Sequence, residues 1–358
     1  MNNTKEVRMS AKGDKCKTCG GELKYNPYDK NIRCVRCENV YPFDKSKEVL
    51  QHGISGANDD RDYRAWLKQN KFLKCDSCGA QIMLDKYGVA DVCPYCGNHY
   101  IATTESLPGL KPDAIIPFEF SEAEAVGRFK SAVRKKFFVP NDFKKNIPAN
   151  KVYGVYVPAF SFDADSVTNY SGKLVDEGNS VTVVRNSEYG FESWNKVSGS
   201  VNCNHKNILV EASTKLTDYD LKNMQPFEFD GAYTYNQKFI VGYSVEYYQE
   251  TINHCLNIAK NKMNKEIEYA INQKYRPDRV SDLSTDTTYS NQKYSYYLLP
   301  IYNLEYVYKG KKWITSMNGQ TGKINDKLPL SKLKISFVTI FGIIIFLMFC
   351  WLFIGSYM

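Results

Sequence analysis

The sequence predicts an α+β protein with two N-terminal four-cysteine zinc ribbons, a mixed α+β domain and one C-terminal transmembrane helix. Three observations carry that expectation. Cys16, Cys19, Cys34 and Cys37 make two C-x-x-C pairs, and Cys75, Cys78, Cys93 and Cys96 repeat them with every position displaced by 59. Strand-like and helix-like segments are mixed without regular alternation between about 110 and 330, which suits α+β rather than a doubly wound sheet. Residues 335–354, ISFVTIFGIIIFLMFCWLFI, carry no charge.

Composition sets the frame. The chain has 358 residues, 43% hydrophobic and 24% charged, enough for two or three globular domains and unlike a disordered chain. Eight of its eleven cysteines fall in the two frames, leaving Cys203, Cys255 and Cys350 scattered, whereas a disulfide scaffold spreads its cysteines along a short secreted chain. A reducing compartment is expected. The first residues, MNNTKEVRMSAKGDK, hold no apolar stretch of the kind that directs export.

The cysteine frames predict zinc ribbon 1 over 14–44 and zinc ribbon 2 over 74–102. Zinc prefers four ligands in a tetrahedron, and two C-x-x-C knuckles on adjoining hairpins bring four thiolates around one ion. Gly20, Gly79 and Gly97 follow knuckles where a turn with positive φ aims backbone amides at the sulfurs. Two structural Zn2+ ions are the expectation; a redox dithiol or an iron centre is the other chemistry such cysteines serve. A four-thiolate site has no open position for substrate, and its binding energy is folding energy.

Ribbon 1 has six lysines and arginines against five carboxylates, net +1, and ribbon 2 has two lysines against three aspartates, net −1. Four thiolates and one divalent cation add about −2 per site, so neither ribbon is a cationic surface. Nucleic-acid affinity depends on neutralising phosphates, so nucleic acid is a disfavoured partner. The overall charge of +8 must therefore lie elsewhere.

Between the ribbons, 45–73 is expected to be a helical linker, capped at Asn58 or Asp59, with Tyr63, Trp66 and Leu67 on one side. After it, SEAEAVGRFKSAVRKKFFVP places Ser121 and Glu124 in capping-box positions and Val126, Phe129, Val133 and Phe137 at helical spacing until Pro140. Its other face carries Arg128, Lys130, Arg134 and Lys135, either a solvated face or one that meets phosphate or lipid. KVYGVYVPAFSFDAD, SVTVVRN and SGSVNC read as strands. A long helix then repeats Ile252, Leu256, Ala259, Met263, Ile267 and Ala270 as one apolar stripe. More strands follow, with hairpin turns at Lys309-Gly310 and Asn318-Gly319. A single α+β domain over 110–330 is predicted.

The apolar run at 335–354 reaches about 30 Å as a helix, enough to cross a bilayer. Lys323, Lys327, Lys332 and Lys334 precede it and GSYM follows, so the positive-inside bias places the N-terminal bulk in the cytoplasm, with a single C-terminal anchor in the cell membrane.

No catalytic set is expected. GQTGKI, at 319–324, has too few residues between its glycines for a nucleotide loop and Ile324 where a magnesium-binding hydroxyl belongs. His52, His99, His205 and His254 fall in no metalloprotease or esterase pattern. Cys203 and His205 form an isolated pair too small for a metal site, while Cys255 and Cys350 suit the role of small hydrophobes.

LKCDSCGAQIMLD, PDAIIPFEFSEAEA, GVYVPAFSFDADS, PFEFDGAYTYNQKFIVGYSVEYY, LLPIYNLEY and MNGQTGKI, in this order over most of residues 73–324, resemble a family of bacterial zinc-ribbon membrane proteins. Its members are labelled transcription-factor-IIB-type zinc-ribbon proteins or primosomal protein N′-like helicases. This chain has no G-x-x-x-x-G-K-[ST] loop and no room for paired motor domains, so the helicase label is not carried over. The resemblance implies SPFH-type or phage-shock-like membrane proteins as partners. The expected function is a non-enzymatic, membrane-anchored zinc-ribbon adaptor or scaffold with a cytosolic protein-interaction surface, in membrane organisation or envelope stress. The alternative is a membrane-bound nucleic-acid-binding regulator using the ribbons and the basic helix after Ser121.

Overall fold

A computed structural model of the chain describes residues 15–54, 70–85, 92–98, 101–103, 110–147, 151–175, 195–213, 215–276 and 278–355. The expected helix around Tyr63, Trp66 and Leu67 and the expected strand SVTVVRN at 180–186 lie outside them. The described parts of 45–73 are not helical: they contain strand β4 (His52–Gly53) and the start of β5 (Asn70–Cys75). Phe72 is buried there, and its ring packs edge-to-face on that of Tyr247.

Ribbon 1 is a three-stranded antiparallel sheet of β1 (Leu23–Asn26), β2 (Asn31–Cys34) and β3 (Val40–Tyr41). Alternation buries Leu23, Tyr25, Ile32 and Cys34 on one face. Tyr25 leaves the ribbon for the main core: its N–H donates to the Val241 carbonyl at 3.0 Å, and its ring lies 5.4 Å from that of Phe239. Lys24 pairs with Glu122 at 2.8 Å and Lys30 with Glu119 at 3.0 Å.

Ribbon 2 comprises β5, β6 (Gln81–Asp85) and β7 (Ile101–Thr103), with β5 hydrogen-bonded to both neighbours. Next come β8 (Ala114–Ile115), helix α1 (Glu122–Lys135), the short α2 (Asn141–Lys145), β9 (Lys151–Val175), β10 (Asn195–Glu211), α3 (Asp218–Met224), β11 (Tyr233–Thr234), β12 (Ser244–Glu246), α4 (Ile252–Gln273), β13 (Arg279–Tyr308), β14 (Lys311–Asn318) and α5 (Lys332–Gly355).

The spine of the molecule is the antiparallel pair β9·β13, running from Lys151 opposite Glu305 to Val175 opposite Arg279, with register shifts between Ser281 and Ser284 and between Ser290 and Lys293. Residues Tyr294 to Leu304 of β13 are buried on both faces and read as an apolar and aromatic run interrupted by the buried polar Ser295 and Asn303. Further toward Arg279 burial alternates, because one face meets α4 and the other meets water. β10 lines the outer edge of β9. β12 runs parallel to β9 and antiparallel to β6, with Val245 opposite Tyr156 and Met83, so ribbon 2 continues the main sheet. Among the described residues, eleven strands share that sheet.

The helices follow their sequence signals, with one instructive exception. Ser121 caps α1 by accepting from the Glu124 N–H at 3.3 Å. The inward stripe is Ala125, Phe129 and Val133; Val126 is only half-buried, and Phe137 lies beyond the helix end, 60% exposed. Helix α1 stops at Lys135, two residues short of the expected apolar position, so Phe137 leaves the stripe. α4 buries Cys255, Leu256, Ala259, Met263, Ile267 and Ile271 against β9, β10 and β13, while Ile252 and Ala270, expected on the stripe, are half-buried at its margins. Lys309 and Gly310 both take positive φ, 50° and 74°, as a tight two-residue hairpin turn needs. The Asn318 carboxamide oxygen accepts from the Gln320 and Thr321 N–H groups at 2.7 and 3.1 Å, making GQTGKI a side-chain-braced turn.

Helix α5 is 24 residues long, about 36 Å, and its window Lys332–Cys350 is long and apolar enough to cross a membrane, with none of it buried against the rest of the chain.

Candidate metal centres

Each ribbon gathers its four cysteines into one cluster. The Sγ atoms of Cys16, Cys19, Cys34 and Cys37 all lie within 4.8 Å of one another, as do those of Cys75, Cys78, Cys93 and Cys96. Cys16 and Cys37 are 3.6 Å apart, Cys19 and Cys34 3.4 Å; Cys75–Cys96 and Cys78–Cys93 are both 3.6 Å. A tetrahedron of sulfurs about 2.3 Å from a central ion has edges of about 3.8 Å. A disulfide needs about 2.05 Å, and all eight cysteines are free. The eight predicted ligands are thus brought together in the predicted groups of four, and the donor set fits a metal ion that takes four thiolates.

The knuckle backbone explains why the geometry recurs. In each, the residue after the second cysteine is left-handed: Gly20 at φ 66°, Glu38 at 61°, Gly79 at 72° and Gly97 at 71°. That residue's N–H returns to the carbonyl of the first cysteine, at 2.8, 3.0, 2.7 and 2.8 Å respectively. One residue further, the carbonyls of Gly21, Asn39, Ala80 and Asn98 accept from the first cysteine's N–H at 2.8 to 3.0 Å. Backbone N–H groups also reach sulfur, Gly21 to Cys19 and Arg36 to Cys34, both at 3.4 Å. Three of four left-handed positions are glycine, the residue that adopts this conformation without strain. Glu38 carries the strain.

Residues beyond the cysteines share the duplication. Asn39 donates to the Thr18 hydroxyl at 2.7 Å and Asn98 to the Ser77 hydroxyl at 2.5 Å, a tie between facing knuckles that repeats at the same displacement of 59. The repeated N-after-knuckle and T/S-within-knuckle pattern is visible in the sequence once the frames are overlaid.

The two centres differ in their surroundings. In ribbon 1 the Tyr41 hydroxyl lies 3.1 Å from Cys16 Sγ, and this hydrogen bond pulls the Cys16 thiol down to about 5, favouring the thiolate a metal needs. Cys37 is exposed. In ribbon 2, Cys75 and Cys93 are fully buried, and burial pushes the Cys93 thiol up. Three side chains of the α+β domain donate to its knuckle carbonyls: Lys215 to Cys78, Lys312 to Cys96 at 2.5 Å, and Asn303 to Pro94 at 3.1 Å. The two ammonium groups lie where a tetrathiolate metal centre, at about −2, attracts them. A Cβ on Gly97 would come within 2.6 Å of Lys312 Nζ, so this glycine also makes room for the lysine.

Beside ribbon 2 is a buried acidic cluster that sequence reasoning missed. Glu246, on β12, accepts short hydrogen bonds from Tyr95 of the last knuckle and from Ser213. Burial raises its carboxyl to about 7. Glu211 at the end of β10 is raised to about 9, by burial first and then by the neighbouring Glu246 charge. Glu246 and Glu211, distant in sequence, come together because β12 and β10 both pair with β9, at Val155–Tyr156 and from Ala159 on.

The predicted non-ligands also find their places. His205 is 2% exposed and bonded at both nitrogens, Nε2 to Ser166 Oγ at 2.9 Å and Nδ1 to Glu266 Oε2 at 2.7 Å. The sequence Ser–His–Glu has the order of a hydrolytic triad, but Ser166 is itself 2% exposed beneath α4. The set sews α4 to β9 and β10. Cys203 lies on the same α4-facing side of β10, and His205 has no nitrogen left for a metal shared with it.

No family model matches the chain, and no solved structure matches it. The chain is 27% identical over 235 residues to a Bacillus subtilis protein named "Uncharacterized protein YdjG". The match covers 63% of this chain and 66% of that protein, just under two thirds of its length.

Proposed function

We propose that this protein is a membrane-anchored zinc-ribbon adaptor, in which two structural Zn2+ ions hold a rigid cytosolic protein-interaction surface and α5 ties it to the cell membrane. The observation that carries this reading is the joint between ribbon 2 and the sheet. β12 links β6 to β9, and Lys215, Asn303 and Lys312 grip the knuckle carbonyls, so metal binding there stiffens an extended surface. Four thiolates per ion leave no coordination position for a substrate, which supports a structural role for the ions. Opposite α4, the sheet presents a flat polar face formed by Asn169 and Ser171 of β9, Ser200 and Asn202 of β10 and Asp286 and Thr288 of β13. A membrane protein of the SPFH or phage-shock-like kind is the partner class we favour.

The test is crosslinking with mass spectrometry on native membranes, using the full chain and a Cys75→Ser, Cys78→Ser variant. The reading expects a discrete set of partner peptides linked to ribbon 2 and the polar face, lost in the variant. Equal, diffuse crosslinking in both overturns it. Steeply salt-dependent retention of DNA or RNA by the full chain supports the nucleic-acid regulator instead.

A further inference from the structure

Phe137 and Phe138 are 60% and 41% exposed, although nothing in the expected helix pattern calls for large apolar side chains in water. They form an edge-to-face pair with ring centroids 5.3 Å apart, in the elbow between α1 and α2. The elbow is tied to the first turn of α5. The Ser331 N–H donates to the Phe138 carbonyl at 2.8 Å. Lys334 Nζ donates to the Phe137 and Val139 carbonyls, both at 2.9 Å, and to Asn141 Oδ1 at 2.7 Å.

These bonds fix depth. Ile335, where the uncharged run begins, lies only three positions after Lys332, so the elbow lies within about 5 Å of the hydrocarbon boundary if α5 crosses a bilayer. Aromatic rings are favoured at that level. Charge agrees. Arg134, Lys135 and Lys136 precede the two phenylalanines, and Lys144 and Lys145 follow on α2. Lys136 is paired with Asp326 at 2.8 Å, but among the described residues no carboxylate pairs with Arg134, Lys135, Lys144 or Lys145. Burial, and after it the Lys334 charge, pulls the Lys144 ammonium down, as expected where cations crowd.

We propose that the Arg134–Phe138 elbow is a second membrane-contact site, with Phe137 and Phe138 in the interfacial layer and Arg134, Lys135 and Lys145 binding the phosphates of anionic phospholipids. The occupant follows from continuity with α5 and from charge complementarity. The elbow also restricts the tilt of the spine over the bilayer, because helix and elbow meet it at two points. This inference rests on α5 spanning the membrane.

The experiment places the photocrosslinking residue benzoylphenylalanine at position 137, 341 or 167 of the full chain, in vesicles of equal phosphatidylglycerol and phosphatidylcholine, and reads lipid adducts by mass. Val167 lies on β9 opposite Thr288, far along the spine from the Tyr308 end where α2 packs, and serves as the distant control. Adducts at 137 and 341 but not 167 are expected, with phosphatidylglycerol enriched about fivefold at 137. An Arg134→Gln, Lys135→Gln, Lys145→Gln variant should lose that enrichment while keeping the adduct at 341. Adducts at 341 without any at 137 overturn the elbow proposal and leave the span intact. No adduct at 341 overturns the span and the elbow with it, and unchanged enrichment in the triple variant overturns the role of the cations.

Discussion

Gly20→Ala isolates the backbone strain of a metal knuckle. Gly20 sits at φ 66°, and an added Cβ meets nothing within 4 Å, so the substitution introduces no clash and acts through the dihedral alone. A left-handed non-glycine residue costs about 1–2 kcal/mol, offset by about 0.4–1 kcal/mol because alanine restricts the unfolded chain. The net loss is about 1 kcal/mol, and since the ribbon's folding and metal binding are one process, it becomes a roughly fivefold weaker site. Competition of the zinc-loaded full chain against a chromogenic chelator reads this directly. The ribbon 1 step should shift about fivefold while the ribbon 2 step stays in place. Glu38→Gly is the mirror experiment: φ 61° is already left-handed there, so glycine relieves strain and the same step should move modestly toward tighter binding. If Gly20→Ala leaves the ribbon 1 step unmoved, or shifts both steps equally, the proposed link between knuckle backbone and metal affinity is wrong.

Three other outcomes follow from the same geometry. Metal analysis of the full chain should give two zincs, and the Cys75→Ser, Cys78→Ser variant one, with protease sensitivity appearing around ribbon 2. Tyr41→Phe removes the hydroxyl 3.1 Å from Cys16 Sγ and should weaken the ribbon 1 metal about tenfold, the low end of the effect of such outer partners, without touching ribbon 2. Glu211 and Glu246 are raised to about 9 and about 7 in the fold, from a usual value of 4.5, so the folded state holds protons that the unfolded chain has released. Their stabilisation is complete below the unfolded value and is lost as pH rises through the folded ones. At saturating zinc, denaturant midpoints should therefore fall from about pH 4.5 to about pH 9, by at most about 1.4 kcal/mol per pH unit per group, with both groups contributing up to about pH 7 and Glu211 alone above it, and Glu211→Gln should flatten the upper part of that fall. A midpoint that rises across this window contradicts the assignment.

What could be read before folding was local. The two groups of four cysteines that could hold a metal, Cys16, Cys19, Cys34 and Cys37 with Cys75, Cys78, Cys93 and Cys96, are written in knuckles whose spacing is a short-range property of the chain, and the glycines after three of the knuckles report their own φ. The Ser121 cap, the α4 stripe and the Lys309-Gly310 turn are legible for the same reason. So is the uncharged run of α5, since length and apolarity alone qualify it to cross a bilayer.

Tertiary structure decided everything that depends on pairing between distant segments. Ribbon 2 joins the main sheet because β12 lies between β6 and β9, and the Glu211–Glu246 cluster exists because β10 and β12 both pair with β9. Phe137 continues a helical pattern in the sequence, yet α1 ends at Lys135 and Lys334 holds the elbow carbonyls, so an expected core residue lies exposed beside the start of α5. Periodicity states which residues can share a face. What covers that face is set by hydrogen bonds and packing from segments far away in the chain, which no local pattern encodes.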